Sequence, residues 1–492
     1  MSAQGLRQKT VSGVFWHFLE VSANQGINLL VTFILAYFLV PDDFGLIAML
    51  SVFFELANAL MEAGFRQALI RKKEATPLDY STMFITNLVF GCIAYVLLVL
   101  LSPWIADFFK EPRLIFLIRI VGVVIIINAF QFIHLVDLSR RLDFRTQFKA
   151  MLPANILSGI FAVIMAVSGM GVWSLVARMI FMPVCKTAAL WKLNPVRPAL
   201  AFSKKTFFEL WGFGSKLVIS RFLNVFFDNI YVMVIGKFFS TTALGGVYFA
   251  QRIQSTLLNQ LTVSIQGATF PALANIQDEE QRLKSAYRKI MKVTAYIIFP
   301  AMSMLAVLSV PLFSSFLNEN WSISAVYLQI LCFAGFMYPM HAINQNLLQV
   351  KGRSDLFLYL ESVKKIVVVA VLFITVPFGI IAMLWGRVAT SLLNYLPTIY
   401  FTNRILDYSA GEQFKDLLPT FVCSLFSALS VLCLDLFFAL PEKSLFWLFV
   451  RSLTGIAAYL VFSLIARLES QEIVWQIIIQ RLHFKKLPVK EN

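Results

Sequence analysis

Long apolar runs separated by short polar breaks set the pattern of this chain from end to end. Residues 11–38 form the first run, closed by the turn Val40-Pro41-Asp42-Asp43-Phe44-Gly45, and residues 44–63 form the second, which exits into a loop bearing Arg66, Arg71, Lys72 and Lys73. Further runs fall at about 80–101, 114–137, 151–168, 172–191, 211–239, 240–268, 293–317, 322–348, 356–376, 380–402, 417–440 and 444–467. Each is long enough to cross a hydrocarbon core of about 30 Å as a helix, so the pattern predicts an all-α integral membrane protein of about 14 transmembrane helices. Two joins are tight turns, Gly169-Met170-Gly171 and Pro377-Phe378-Gly379. The segment Ala272–Lys292 is amphipathic and is expected to lie at the cytoplasmic interface as a brace, and the basic amphipathic tail 471–486 is expected to lie on the inner leaflet.

The polar positions inside these runs carry the functional signal. Lys216, Ser220, Asn224 and Asp228 recur every four residues, with Arg221 beside them, and so share one broad helical face. Arg252, Ser255 and Asn259 form a second stripe on the next run. A charge at the bilayer centre costs about 2.5–3.5 kcal/mol on insertion scales, so these side chains need protein or water in front of them. A single Asn or Ser is better read as glue between helices, but two charged stripes call for a cavity.

The same polarity occurs earlier in register. Pro41-Asp42-Asp43-Phe44-Gly45 lies over Thr241-Thr242-Ala243-Leu244-Gly245, Glu20, Asn24 and Asn28 lie over Ser220, Asn224 and Asp228, and Glu55 lies over Ser255. Ser51, Glu55, Asn58 and Glu62 share a face, while Arg178 in the first copy answers to Arg387 in the second. A duplicated unit follows, with an even number of spans in each copy, hence a parallel repeat. The expected organisation is an N-terminal six-helix lobe at 1–200, a second six-helix lobe at 201–403, two additional helices at 404–467 and a cytoplasmic tail at 468–492. The hydrophilic faces of the lobes are expected to meet where transporters of this kind hold their substrate.

Composition narrows the class without changing that picture. Hydrophobic residues make up 59% of the chain, charged residues 14%, and the mean hydropathy is +0.76. The net charge of +15 does not gather on a solvated domain, which excludes a nucleic-acid reading. Most of the Lys and Arg residues fall in loops assigned to one side, placing both termini in the cytoplasm by the positive-inside rule. Cys92, Cys185, Cys332, Cys423 and Cys433 all lie in apolar runs without a CxxC pair, and no HExxH occurs, so no disulfide framework, metal site or cofactor is expected.

Two segments carry a family resemblance. FGLIAMLSVFFELANALMEAGFRQALIRKKE and FPALANIQDEEQRLKSAYRKIMKVTAYIIFP, with the turn Leu317-Asn318-Glu319-Asn320-Trp321, resemble bacterial polysaccharide exporters of the Wzx type. These belong to the multidrug, oligosaccharidyl-lipid and polysaccharide (MOP) exporter superfamily, and the likeness is closest to its colanic-acid and exopolysaccharide branch. The resemblance implies a flippase, not an enzyme, that carries undecaprenyl-pyrophosphate-linked oligosaccharide, an exopolysaccharide or lipopolysaccharide repeat unit, across the bacterial inner membrane. It also implies a monomer among membrane lipids, with a polysaccharide polymerase as a contact.

The residue chemistry agrees with that implication. A pyrophosphate head carries about two negative charges and suits Arg and Lys, here Lys216, Arg221, Arg252, Arg178 and Arg387. Sugars suit the amides of Asn24, Asn28, Asn58, Asn224 and Asn259, which both donate and accept. Glu20, Glu55, Glu62 and Asp228 are candidates for coupling to H+ or Na+ during alternating access, or else pair with the arginines. The rival readings are a multidrug antiporter, disfavoured by the cations, and a lipid II flippase, which is physically indistinguishable. A membrane glycosyltransferase or polymerase would need a large catalytic loop that the chain lacks.

Overall fold

The structure, a computed structural model, describes residues 3–484 apart from Ala63 and Lys73. The side chains of 3–15, 213, 216, 263, 264, 266, 268, 270, 271, 339, 354 and 477–484 also lie outside the described residues. Every regular element among the described residues is helical, and the chain forms two compact units, Met1–Phe249 and Ala250–Asn492.

The first unit contains α1 (Ala3–Phe38), α2 (Pro41–Glu62), α3 (Phe65–Arg71), α4 (Pro77–Phe109), α5 (Arg113–Val121), α6 (Val123–Arg140), α7 (Phe144–Val167), α8 (Val172–Leu193), α9 (Lys204–Asp228), α10 (Ile230–Phe238) and the start of α11 (Thr241–Ala274). Side-chain caps open several of them: Thr76 and Asp79 form a reciprocal capping box at α4, and Asp143 and Ser203 accept backbone N–H groups at α7 and α9. α1 runs parallel to α7, as Trp16 meets Phe148, Asn24 meets Asn155 and Val31 packs against Gly159. α8 returns antiparallel to α7 through the Gly169-Met170-Gly171 turn, where both glycines hold the left-handed φ that side chains disfavour.

The connector between α8 and α9, residues 194–203 with Pro195 and Pro198, is strapped to this unit. Asn194 donates to buried Asp137, while the backbone N–H groups of Ala199 and Ser203 donate to Ser81 and Thr82 on α4. The first turns of α2 and α11 cross backbone on backbone: a Cβ at Gly45 would lie 2.0 Å from the Thr241 carbonyl oxygen, and one at Gly245 1.7 Å from that of Pro41. Only hydrogen fits at either position.

The second unit continues α11 and adds α12 (Glu280–Val307), α13 (Ser309–Phe316), α14 (Ser322–Gly335), α15 (Tyr338–Val350), α16 (Ser354–Thr375), α17 (Ile380–Leu406), α18 (Ala410–Phe438), α19 (Leu445–Ile465) and α20 (Glu469–Phe484). Lys284, Arg288 and Lys292 form an i, i+4, i+8 stripe on α12 that meets carboxylates of α18 and α20. Arg288 makes a two-pronged bond to Asp416 at 2.7 and 2.9 Å, and Tyr408 donates to the same carboxylate. Large apolar side chains such as Leu436, Phe437, Phe446 and Phe449 stay exposed, as expected where lipid is the solvent.

Ten of the described helices are long and apolar enough to cross a membrane, or eleven if a bent pair counts as one span. The protein is therefore multi-pass, with fewer clearly apolar spans than the fourteen expected. α16 carries Glu361, Lys364 and Lys365 within about one turn, α17 carries Arg387, and α11 is polar along much of its length, so these fall short on composition.

Three boundaries also differ from expectation. The run 211–239 is broken after Asp228, with a bend of 46° at Asn229, whose side chain donates to Glu55 and to the Val225 carbonyl instead of continuing the helix uninterrupted. The amphipathic segment begins as the end of α11, turns at 275–279, and from Glu280 continues into the apolar part of α12, where its cations find partners on α18 and α20. α4 continues through Pro103 to Phe109, beyond the expected end at 101. The tail helix α20 is present, while Lys485 and Lys486 lie outside the described residues.

Candidate functional site

In the first unit one arginine sits within a group of asparagines. Asn24 and Asn28 stand one turn apart on α1, and Asn28 donates to Asn24 at 3.0 Å. Asn155, fully buried on α7, donates to the same Asn24 oxygen at 2.8 Å. The oxygens of Asn28 and Asn155 are thereby left to accept from Arg178 on α8, at 2.6 and 3.4 Å. Fixing each amide's N–H groups on a neighbour turns its oxygen toward the guanidinium, which orients the cation. A held guanidinium can present its remaining donors to a phosphate.

The other predicted residues of this unit are engaged elsewhere. Asn58 accepts from Asn128, which accepts from Gln131, and Glu55 accepts from Asn229 at 2.8 Å. Glu20 lies 3.7 Å from His17 and within electrostatic range of Lys186 and Arg66. Glu62 lies within range of Arg66 and Arg221. Arg221 is exposed and, among the described residues, makes no side-chain hydrogen bond or ion pair. Asp228 is exposed and Asn224 half-buried, while the side chain of Lys216 lies outside the described residues.

In the second unit Arg387 on α17 donates to Gln251 on α11 at 3.0 Å. Arg252 is exposed and without a side-chain bond among the described residues, and Asn259 accepts from Tyr338. A polar group that sequence reasoning passed over lies nearby in the fold: Gln345 and Lys364 both donate to Glu361, at 2.6 and 3.0 Å, and His341 meets the Ser391 carbonyl. Asn155, Lys186, Glu361 and Lys364 were each visible as polar residues inside apolar runs, the same signal that picked out Arg178. Among the described residues no cluster of His, Cys, Asp or Glu could hold a metal ion.

The described residues make an all-helical, multi-pass membrane protein with partnered arginines and amides inside its helices. Residues 34–326 match the polysaccharide biosynthesis protein family, and the chain belongs to it. It is 26% identical to the lipopolysaccharide biosynthesis protein WzxC of Escherichia coli strain K12, over 71% of this chain and 72% of the relative. Identity to the teichuronic acid biosynthesis protein TuaB of Bacillus subtilis strain 168 is 24%, covering 74% and 76%. The succinoglycan biosynthesis transport protein ExoT of Rhizobium meliloti strain 1021 is 23% identical over 67% of each chain.

Among solved structures, the lipid II flippase MurJ in an inward closed conformation superposes with a TM-score of 0.74 at 15% identity, over 93% of this chain and 99% of that one. An inward-facing multidrug resistance MATE transporter of the MOP superfamily gives 0.60 at 16%, over 78% and 96%. The fold is that of the MOP exporters, and the named relatives and neighbours include transporters and flippases.

Proposed function

We propose that this protein flips a lipid-linked oligosaccharide, carried on a polyprenyl pyrophosphate such as undecaprenyl pyrophosphate, across the bacterial inner membrane by alternating access, with both termini cytoplasmic. The observation that carries this reading is Arg178 held by Asn28 and Asn155 inside the bundle. A guanidinium oriented inside the helices suits the oxygens of a phosphate, and the amides around it match the hydroxyls of a sugar. Lys216, Arg221, Arg252 and Arg387 complete the cationic set, and Asn58, Asn224 and Asn259 the amides.

The two six-helix lobes, 1–200 and 201–403, are the moving parts of this reading, with residues 404–467 added beside them. Glu20, Glu55, Glu62 and Asp228 are its candidate sites for coupling to H+ or Na+. A multidrug antiporter on the same fold would favour organic cations, which the excess of Arg and Lys inside the helices repels.

Deleting the gene is expected to accumulate the undecaprenyl-linked repeat unit on the cytoplasmic leaflet and to stop its appearance outside. Leaflet-resolved extraction of the lipid intermediate checks this. Unchanged delivery to the outer leaflet sinks the proposal.

A further inference from the structure

The ladder between α1 and α8 has a second rung. The bond from Arg178 to Asn28 fixes the register of two helices that run in opposite directions, both packed on α7. Moving from Asn28 back to Glu20 and from Arg178 on to Lys186 is eight residues on each helix, about 12 Å in the same direction. Lys186 therefore comes opposite Glu20, and each lies within electrostatic range of the other and of Arg66.

The two charges face each other without touching. Among the described residues Lys186 makes no hydrogen bond or ion pair, and Glu20 Oε2 is closed to solvent with no hydrogen-bond partner. Buried opposite charges ordinarily close to contact, since separation forfeits the attraction that offsets desolvation. Glu62 adds a carboxylate, facing Arg66 and Arg221. Three cations, Lys186, Arg66 and Arg221, thus answer to two carboxylates, Glu20 and Glu62, with His17 at the edge of the group. The surplus is positive, and a ligand with phosphate oxygens would satisfy it.

We propose that Lys186, backed by Arg66, is a second anion-binding station for the pyrophosphate head, one ladder step from Arg178, with Glu20 as the counter-charge that the head displaces. This assignment rests on the flippase reading above and adds to it a residue that the cationic set does not include. Two stations along one helix let the head pass from one cation to the next in steps that each replace a partner.

Binding of farnesyl pyrophosphate to the purified full-length protein, with farnesol as the uncharged control, tests it by calorimetry. Lys186→Gln is expected to weaken farnesyl pyrophosphate about tenfold, Lys186→Arg to stay within about twofold of wild type, and Glu20→Gln to tighten it. The double variant Glu20→Gln with Lys186→Gln removes both members of the rung and is expected to remain weak. Recovery of wild-type affinity in that double variant shows a merely structural pair and overturns the assignment. So does an unchanged affinity in Lys186→Gln while wild type binds. Wild-type protein that does not prefer farnesyl pyrophosphate to farnesol overturns the flippase reading and the assignment with it.

Discussion

Arg178 and Arg387 occupy matching places in the two halves of the chain, each about two turns beyond a glycine with left-handed φ, Gly171 at 54° and Gly379 at 93°. Each donates to a side-chain amide oxygen, yet the supports differ. Arg178 meets two asparagines whose own N–H groups are tied to Asn24 on α1, whereas Arg387 meets Gln251, a longer side chain with one more rotatable bond. The repeat has kept the charge and changed what orients it. The first copy is the better pre-organised, and pre-organisation governs how much of a hydrogen bond's strength reaches a ligand.

The largest expected effect separates these two arginines. Arg178→Ala should reduce export about a hundredfold, since it removes the cation and leaves Asn28 and Asn155 oxygens unmatched in a buried setting. Arg387→Ala should cost about tenfold, because its bond to Gln251 comes from a less constrained group. Asn155→Ala should fall between them while Arg178 is still present, because the guanidinium loses its second acceptor and Asn24 loses a donor. Rates of outer-leaflet delivery in cells with matched protein levels decide this. Equal losses for the two arginines would break the comparison.

How far sequence alone reaches is clear from particular residues. Charges inside apolar runs mark Arg178 and Arg387 as candidates, and the two glycine-containing turns placed the start of α8 and α17 correctly, because a left-handed φ and a missing side chain leave few alternatives. Asn155 was lost to the sound rule that a lone Asn in a span is helix glue. Its importance comes from α1 and α7 running in parallel register, a long-range fact. The bend at Asn229 depends likewise on Glu55, far away in the chain. α12 reads as two elements by amphipathicity and is one helix, because ion pairs to α18 and α20 hold its polar half in line with the apolar half.

A second pairing sharpens the contrast at the level of stability. Asp137 in the first unit accepts from Asn194 and the exposed Arg141, at 3.1 and 3.0 Å. Asp416 in the second, nearly buried, meets Arg288, Lys292 and Tyr408. Asp416→Ala should lower unfolding stability by about 2 kcal/mol, below the 3–5 typical of a fully buried pair because Arg288 retains access to water. Asp137→Ala should cost about 1 kcal/mol, mainly through the unsatisfied Asn194 amide. Thermal midpoints of the purified variants rank the two, and a reversed order would show that the connector strap matters more than the α12 brace.

The smallest effect belongs to a polar loop between helices. Arg113 grips Glu111 at 2.7 and 2.9 Å and Asp42 at 2.8 Å, but Arg113 is half-exposed, so Glu111→Gln should cost less than about 1 kcal/mol. The Arg113 hydrogen bond holds the Glu111 carboxyl below its ordinary range, outweighing partial burial. A carboxylate with a depressed folded-state value contributes stability that is fully present above its ordinary value of 4.5 and is lost as pH falls through the folded one. Wild type should therefore lose this increment on acidification below about pH 4.5, and Glu111→Gln should show a correspondingly shallower decline over the same window. High salt should narrow the gap between the two at neutral pH, because an exposed pair is screened. A gap that persists in high salt and at low pH would mean that Glu111 acts through its bond from Thr241, 3.5 Å away, instead of through Arg113.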